Sequence, residues 1–281
     1  MRNTAVVEFA AYRQYEATRA EANNAMMGLL AGAKLAAHML KLTEGSQRLL
    51  PEVFPQVEHI ERVNLTSEAA RAILVDADSH LGAMSVPYAL ALHEDFLKTC
   101  LELLEVAGKC ARNTARDSKL ATQHGLIETA TGRAFSPDSL IQLSTIRVMR
   151  NCVIHEGGRV SGALVNKLGS WTTQIEAAWE KVAGTSPRGL QVGDPVTFGH
   201  GELVLTLAVT KRLAREANGM LLGAIPKAQW ADLVIDDMIA STKNAMKRSD
   251  VARRAQGLAR HHYSAVGLDE QDILNAIARR T

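Results

Sequence analysis

The scarcity of helix-breaking residues constrains this chain more than any other sequence feature. Only seven of the 281 residues are proline, the residue that most strongly interrupts a helix interior. Elsewhere apolar residues recur at steps of three and four, which places them on one face of an α-helix. Abundant Ala, Leu, Arg and Glu add high helix propensity. The sequence therefore predicts an all-α fold.

Composition excludes several classes of protein. Apolar residues make up 47% of the chain and charged residues 22%, enough apolar surface for a packed core. The net charge is +2, so any contact with nucleic acid depends on a local basic patch. Three cysteines without CxxC spacing argue against a disulfide scaffold or a Cys-rich zinc site. We predict a cytoplasmic protein that uses no metal or cofactor and does not contact a membrane.

Start and stop signals for helices divide the chain into segments. A helix break is expected at Ser85-Val86-Pro87, and alternation over residues 190–198, with a turn at Gly193-Asp194, predicts a small β-hairpin. Residues 46–64 are expected to be irregular, and residues 113–135 are expected to be a loop with room for a short helix. Helices are predicted over about 4–42, 67–83, 87–112, 137–155, 161–182, 201–222, 230–249, 251–262 and 269–280.

One short polar constellation stands at the end of the helix that Ser136-Pro137 starts. Asn151 and His155 are one turn apart on the same face, and Arg150 lies beside Asn151. An imidazole titrates near neutral pH, so it can take a proton from a ribose 2′-hydroxyl or return one to a leaving 5′-oxygen. A guanidinium fits the non-bridging phosphate oxygens. The set therefore points to metal-independent phosphodiester cleavage.

The same residues resemble a known family. Arg150-Asn-x-x-x-His155 is similar to the R-x4-6-H signature of HEPN domains, which favour a polar residue after the arginine. The following Gly157-Gly158-Arg159-Val160 is like the continuation in bacterial RiboL-PSP-type and abortive-infection-type members. The stretch 86–104 looks like the first core helix of that fold. The resemblance covers roughly residues 84–223.

The resemblance implies an architecture and an activity. It implies a HEPN-like helical bundle at 84–223. The regions outside it have no family assignment, and their residue patterns predict an N-terminal helical region at 1–83 and a basic helical tail at 224–281. It also implies a homodimer in which two motifs face one cleft and cut RNA, leaving a 2′,3′-cyclic phosphate. Such nucleases act in toxin, antiphage or RNA-processing settings, so an antitoxin or defence-system partner is expected. Gly157 stands where one subgroup carries a tyrosine that a partner enzyme modifies, so that mode of neutralisation is not expected.

Roles follow for individual side chains. Arg150 is predicted to stabilise phosphate charge, and His155 is predicted to act as acid and base. Asn151 is predicted to hold either the imidazole or the phosphate through its side-chain amide. Further substrate contacts are predicted for four basic residues, namely Arg147, Arg159, Lys109 and Arg112.

Other interpretations of the sequence stay open. Arg150 and His155 are also compatible with purely structural roles, as an ion-paired arginine and a capping histidine. A separate alternative is a non-catalytic HEPN-like binding or adaptor module, which keeps the fold but does not cut RNA. Cys152, three residues before His155, suits a small apolar packing residue better than a nucleophile. The basic run at 241–281 is also compatible with a helical regulator that binds DNA.

Overall fold

The computed structural model describes residues 6–57, 59–62, 64–241 and 248–280. Over these residues the chain forms 13 α-helices, three 3₁₀ turns and no strand, which confirms the all-α prediction. The 3₁₀ turns are Lys41–Thr43, Ile60–Arg62 and Ser264–Val266. The helices are α1 (Ala10–Leu40), α2 (Leu50–Val53), α3 (Ser67–Val75), α4 (Ala77–Val106), α5 (Thr114–Asp117), α6 (Leu120–Thr131), α7 (Pro137–His155), α8 (Gly162–Gly169), α9 (Thr173–Ala183), α10 (His200–Ala224), α11 (Lys227–Ala240), α12 (Arg248–His262) and α13 (Glu270–Arg280).

The predicted break at residues 85–87 is wrong, because α4 continues through Pro87. Ser85, Val86 and Ala89 around it are buried, and this packing offsets the backbone hydrogen bond that the proline lacks. The chain breaks instead at Asp76, whose carboxylate accepts a hydrogen bond from the Ser79 hydroxyl at 3.0 Å. A short polar side chain that bonds locally ends one helix and starts the next.

Two further predictions are corrected. Most of the expected loop at 113–135 is helical, as α5 and α6, because Leu120, Gln123, His124 and Ile127 form a buried stripe at helical spacing. The helix predicted over 161–182 is two helices, since the Thr172 side chain accepts from the backbone N–H of Ile175 at 3.3 Å and caps α9. Parts of the predicted helices at 4–42 and 230–249 fall on residues 4–5 and 242–247, which lie outside the described residues.

The chain forms two compact units. Unit 1 takes its described residues from Met1–Arg19, Leu90–Ser144 and Ala208–Thr281, and unit 2 from Ala20–Ala89 and Thr145–Leu207. Helices α1, α4, α7 and α10 each have residues in both units. The functional boundaries at residues 83 and 223 stay predictions. No helix within the described ranges is both long and apolar enough to cross a membrane.

Unit 1 is built around an aromatic cluster. Phe96 of α4 stacks on Tyr15 of α1 with ring centroids 4.6 Å apart, and it contacts Tyr12 at 5.6 Å. Phe9 lies 5.7 Å from Trp230 of α11, which is fully buried. Such ring pairs add to the stabilisation from area burial. The cluster joins three sequence-distant parts of unit 1.

A buried histidine pair lies in the same unit. The Nε2 atoms of His93 on α4 and His124 on α6 are 3.1 Å apart, and the two side chains are 0% and 7% exposed. His93 Nδ1 has no hydrogen-bond partner within the described structure. Burial, and then the neighbouring His124, hold the pKa of His93 well below its ordinary value. The folded chain therefore keeps His93 neutral at a pH where the unfolded chain binds a proton.

This pair predicts a loss of stability in acid. Because the pKa of His93 is lowered on folding, the unfolded state binds more protons once the pH falls below about 6.5. We expect the free energy of unfolding to decrease from that pH downward, by up to about 1.4 kcal/mol per pH unit for one proton. Urea melts at pH 7.5, 6.5 and 5.5 measure this slope.

His93→Gln is expected to lower stability at all pH values and to reduce the slope. His80→Gln, at an exposed position on α4, is the control and should keep the wild-type slope. If the unfolding free energy of wild type and of His93→Gln depended equally on pH, His93 would not be the cause of the loss of stability in acid.

Candidate functional site

The C-terminal half of α7 is amphipathic, and its buried side fixes its orientation in unit 2. Ile146, Met149 and Cys152 follow one another at three-residue steps and are 0%, 2% and 1% exposed. Thr145 on the same side accepts a hydrogen bond from Trp171 Nε1 at 3.3 Å. Helical geometry then directs the intervening polar residues outward.

The predicted motif lies on this outward face. Arg150 is half-buried, and Asn151 and His155 are exposed. Arg150 Nη1 donates to Asn151 Oδ1 at 3.2 Å, so the guanidinium is held beside the carboxamide. The helix ends at His155 as predicted. The structure thus places Asn151 and His155 one turn apart on an accessible face at the end of α7, with Arg150 on the adjoining edge.

The His155 side chain has no hydrogen bond or ion pair with any other described residue. Its imidazole is exposed at the last residue of α7. Ile154 beside it is 45% exposed, an apolar side chain at the rim of the motif. The imidazole is free to meet a ligand or a second protein surface.

Two glycines reverse the chain directly after the motif. Gly157 and Gly158 have φ values of 60° and 75°, in the left-handed region that glycine adopts without steric cost. The Gly158 N–H donates to the Cys152 carbonyl at 3.0 Å and closes the helix end. The predicted stop signal therefore acts as expected.

The predicted β-hairpin at 190–198 does not form. This segment pairs instead with the chain after the two glycines, through an isolated antiparallel bridge between Arg159 and Pro195. Val160 N–H donates to the Asp194 carbonyl at 2.9 Å, and Val196 N–H to the Gly158 carbonyl at 2.8 Å. The alternating pattern therefore predicted a segment that pairs with another part of the chain, but the partner is residues 158–160. We call residues 156–160, which follow the motif, the exit loop.

Two cations lie close together next to the motif. Arg147, one turn before Asn151, is half-buried on α7, and burial lowers its pKa from the ordinary value. Burial lowers the pKa of Lys167 on α8 as well, and the positive charge of Arg147 lowers it further. Neither residue forms an ion pair with another described side chain. Arg147 and Lys167 are therefore two partly buried cations whose charges are not compensated by an ion pair among the described side chains.

The other predicted substrate residues have different surroundings. Arg159 is exposed in the exit loop, and its Nη1 donates at 3.3 Å to the carbonyl of Gly193 in the facing segment. Lys109 and Arg112 are exposed in the turn after α4, in unit 1. The candidate site described here consists of unit 2 residues alone, and the roles of Lys109 and Arg112 stay predictions. Lys167 was not predicted, because the sequence gives no sign that α8 brings it beside Arg147.

Cys152 packs inside unit 2. Its Sγ lies 3.3 Å from the Ser161 hydroxyl, which agrees with the packing role favoured by the sequence. Within the described ranges, no three His, Cys, Asp or Glu side chains form a cluster that could hold a metal ion.

The glycine turn yields a prediction about stability. Gly157→Ala places a β-carbon in a left-handed conformation, which costs about 1 kcal/mol, and open space around the position adds no clash. We expect a lower free energy of unfolding in urea melts. Gly162→Ala, at an open position without positive φ at the start of α8, is the matched control. If Gly157→Ala and Gly162→Ala lowered the free energy of unfolding equally, the left-handed conformation of Gly157 would be contradicted.

Comparisons with known proteins give no relative for this chain, since no family model, no curated protein and no solved structure matches it.

Proposed function

We propose that the chain is a metal-independent endoribonuclease of the HEPN type that cuts RNA by attack of the 2′-hydroxyl, in a toxin or antiphage setting. The observation that carries the proposal is the arrangement at the end of α7. There Arg150 is hydrogen-bonded to Asn151 at 3.2 Å, and an unpartnered His155 lies one turn further on the same accessible face.

The chemistry follows from these side chains. His155 takes the proton from the 2′-hydroxyl, and the oxygen attacks the adjacent phosphorus as the bond to the 5′-oxygen breaks. The leaving oxygen takes a proton from an imidazolium. The products are a 2′,3′-cyclic phosphate and a 5′-hydroxyl. Arg150 donates to the non-bridging oxygens, where negative charge accumulates in the transition state.

A second copy of the motif completes this reaction. In-line displacement puts the attacking and leaving oxygens on opposite sides of phosphorus, so one imidazole does not serve both at once. The partner's motif supplies the second imidazole across a shared cleft. The exposed Ile154 beside His155 offers apolar surface at which two α7 ends can meet. A homodimer is therefore part of the proposal.

The cation pair supports an anionic substrate. Arg147 and Lys167 are partly desolvated and unpaired with carboxylates in the described structure. An RNA phosphate adjacent to the scissile one would relieve their mutual repulsion. Lys167 thus joins Arg147 as a proposed substrate-binding residue.

A cleavage assay tests the activity. Purified protein, free of any bound inhibitor, is incubated with total RNA and with several defined RNAs in EDTA. We expect cleavage that His155→Ala reduces by a factor of about 10²–10⁴, because proton transfer is lost. His80→Ala, an exposed histidine of the same unit, should cleave normally. RNA binding without cleavage would favour the non-catalytic binding module, and cleavage unchanged in His155→Ala would place the activity elsewhere.

The cation pair predicts a salt effect. Arg147→Gln and Lys167→Gln should each weaken RNA binding and reduce the slope of log K against log salt by roughly 0.7 for a single strand, because one phosphate contact is lost. Fluorescence anisotropy with an uncleavable RNA analogue measures both effects. Lys181→Gln, exposed on α9, is the charge-matched control. If the salt dependence of binding were the same for all variants, Arg147 and Lys167 would not contact RNA.

A further inference from the structure

The exposed side of α12 in unit 1 carries only basic residues and one glycine, as far as its side chains are described. We call this set the basic face of α12, and it consists of Arg253, Arg254, Gly257, Arg260 and His261. The opposite side of the helix is buried in unit 1 through Ala255, Ala259 and Tyr263. The packing of unit 1 therefore fixes which side of α12 meets the surroundings.

Gly257 stands at the centre of the basic face. Each of the four basic residues lies three or four positions from it, which is one helical turn on the same side. They form two rows, Arg253 with Arg260 and Arg254 with His261. The two members of a row are about 10.5 Å apart along the helix axis. The backbone at Gly257 is thus open between two rows of basic side chains.

Packing within the chain does not explain this glycine. A β-carbon added at Gly257 would meet no atom within 4 Å, so alanine would fit there. Glycine in a helix interior costs about 1 kcal/mol relative to alanine. The position therefore gives up stability without gaining a contact inside the protein. A glycine does, however, let a ligand come close to the backbone of the helix.

The two arginines of the neighbouring α13 show what a structural role looks like in this tail. Arg279 pairs with Asp232 of α11 at 2.7 Å, and Arg280 pairs with Asp236 at 2.6 Å. Arg260 on α12, by contrast, has no ion pair or hydrogen bond with another described residue. The charge of Arg260 is therefore open to an anion from outside the chain.

One acidic residue borders the basic face. Asp250 Oδ1 lies 3.3 Å from Arg253 Nη2, and the two side chains are 47% and 84% exposed. An exposed pair of this kind contributes about 1 kcal/mol or less, so a phosphate can replace the carboxylate. Three arginines against one aspartate also leave the surface positive.

The side chains of the basic face favour one class of partner. All four basic groups are planar guanidinium or imidazole groups, and none is a lysine ammonium. A guanidinium fork matches phosphate oxygens, and both kinds of plane stack on the unpaired bases of single-stranded RNA. A lipid surface fits poorly, because the apolar side of α12 is buried in unit 1 and cannot insert between acyl chains.

We propose that the basic face of α12 binds the backbone of single-stranded RNA. Arg253 and Arg260 contact phosphates, and the strand passes over Gly257. The choice of RNA rests on the proposed function, whereas the binding itself requires neither the α7 motif nor cleavage. The basic face is then an RNA contact of unit 1, in addition to Arg147 and Lys167 in unit 2.

Fluorescence anisotropy of the full chain tests the proposal with a single-stranded RNA whose 2′-oxygens are methylated, so that attack by a 2′-hydroxyl cannot occur. Arg253→Gln and Arg260→Gln should each weaken binding roughly three- to tenfold and reduce the slope of log K against log salt by roughly 0.7. Arg279→Gln is the matched control, since Asp232 already neutralises that arginine, and it should bind RNA as the wild type does.

Gly257→Gln separates a blocked surface from a damaged fold. Glutamine is a good helix former, so the free energy of unfolding should stay equal or rise. Its long neutral side chain covers the centre of the basic face, so RNA affinity should fall without any change in charge. Wild-type affinity in Gly257→Gln would overturn the placement of the strand.

Other results would overturn the proposal as a whole. These are wild-type affinity in both Arg253→Gln and Arg260→Gln, an equal loss in Arg279→Gln, or a loss confined to duplex DNA or anionic vesicles. The proposed function fails separately. A chain that cuts no RNA but loses RNA affinity in the α12 variants supports the inference alone, and a chain that cuts RNA with unchanged affinity in those variants supports the nuclease alone.

Discussion

The buried side of α7 is the constraint on which the account of the site depends. Ile146, Met149 and Cys152 fill the interior of unit 2, and a helix cannot bury these positions without presenting residues 147, 150, 151 and 155 on its other side. Truncating a buried side chain such as Ile146 would cost about 2–5 kcal/mol, more than any exposed polar residue of the motif contributes. The accessible motif is thus a consequence of core packing.

The end of α7 adds a second constraint. The left-handed glycines turn the chain back at once, and the exit loop is then held by hydrogen bonds to residues 193–196. The terminus is therefore fixed on both sides, by the core before it and by the bridge after it. The His155 side chain is exposed and has no hydrogen-bond or ion-pair partner among the described residues; in the proposed reaction, a substrate and a second copy would complete its surroundings. The unpaired charges of Arg147 and Lys167 leave the neighbouring surface positive, as phosphate binding requires.

The sequence predicted the structure best where the start and stop signals of a helix agree with the burial of its side chains. Turn chemistry predicted that α7 starts at Pro137 and ends at His155, and helical spacing predicted the common face of Asn151 and His155. The helical share of residues 113–135 was underestimated, because two of the four buried residues of α6, Gln123 and His124, are polar and weaken the apolar pattern. Pro87 was given too much weight, since packing on both sides of it keeps α4 continuous. The bridge to residue 195 and the nearness of Lys167 to Arg147 are long-range contacts, which no local pattern encodes.

The most direct test of the central claim is the chemistry of the cut. A defined RNA cleaved in EDTA is compared with the same oligonucleotide carrying a single 2′-deoxy residue at the cleavage position, and the product ends are identified by mass spectrometry. We expect a 2′,3′-cyclic phosphate from the RNA and no cleavage at the 2′-deoxy position. Cleavage that tolerates the 2′-deoxy substitution, or products with a 5′-phosphate, would contradict attack by the 2′-hydroxyl and with it the role proposed for His155.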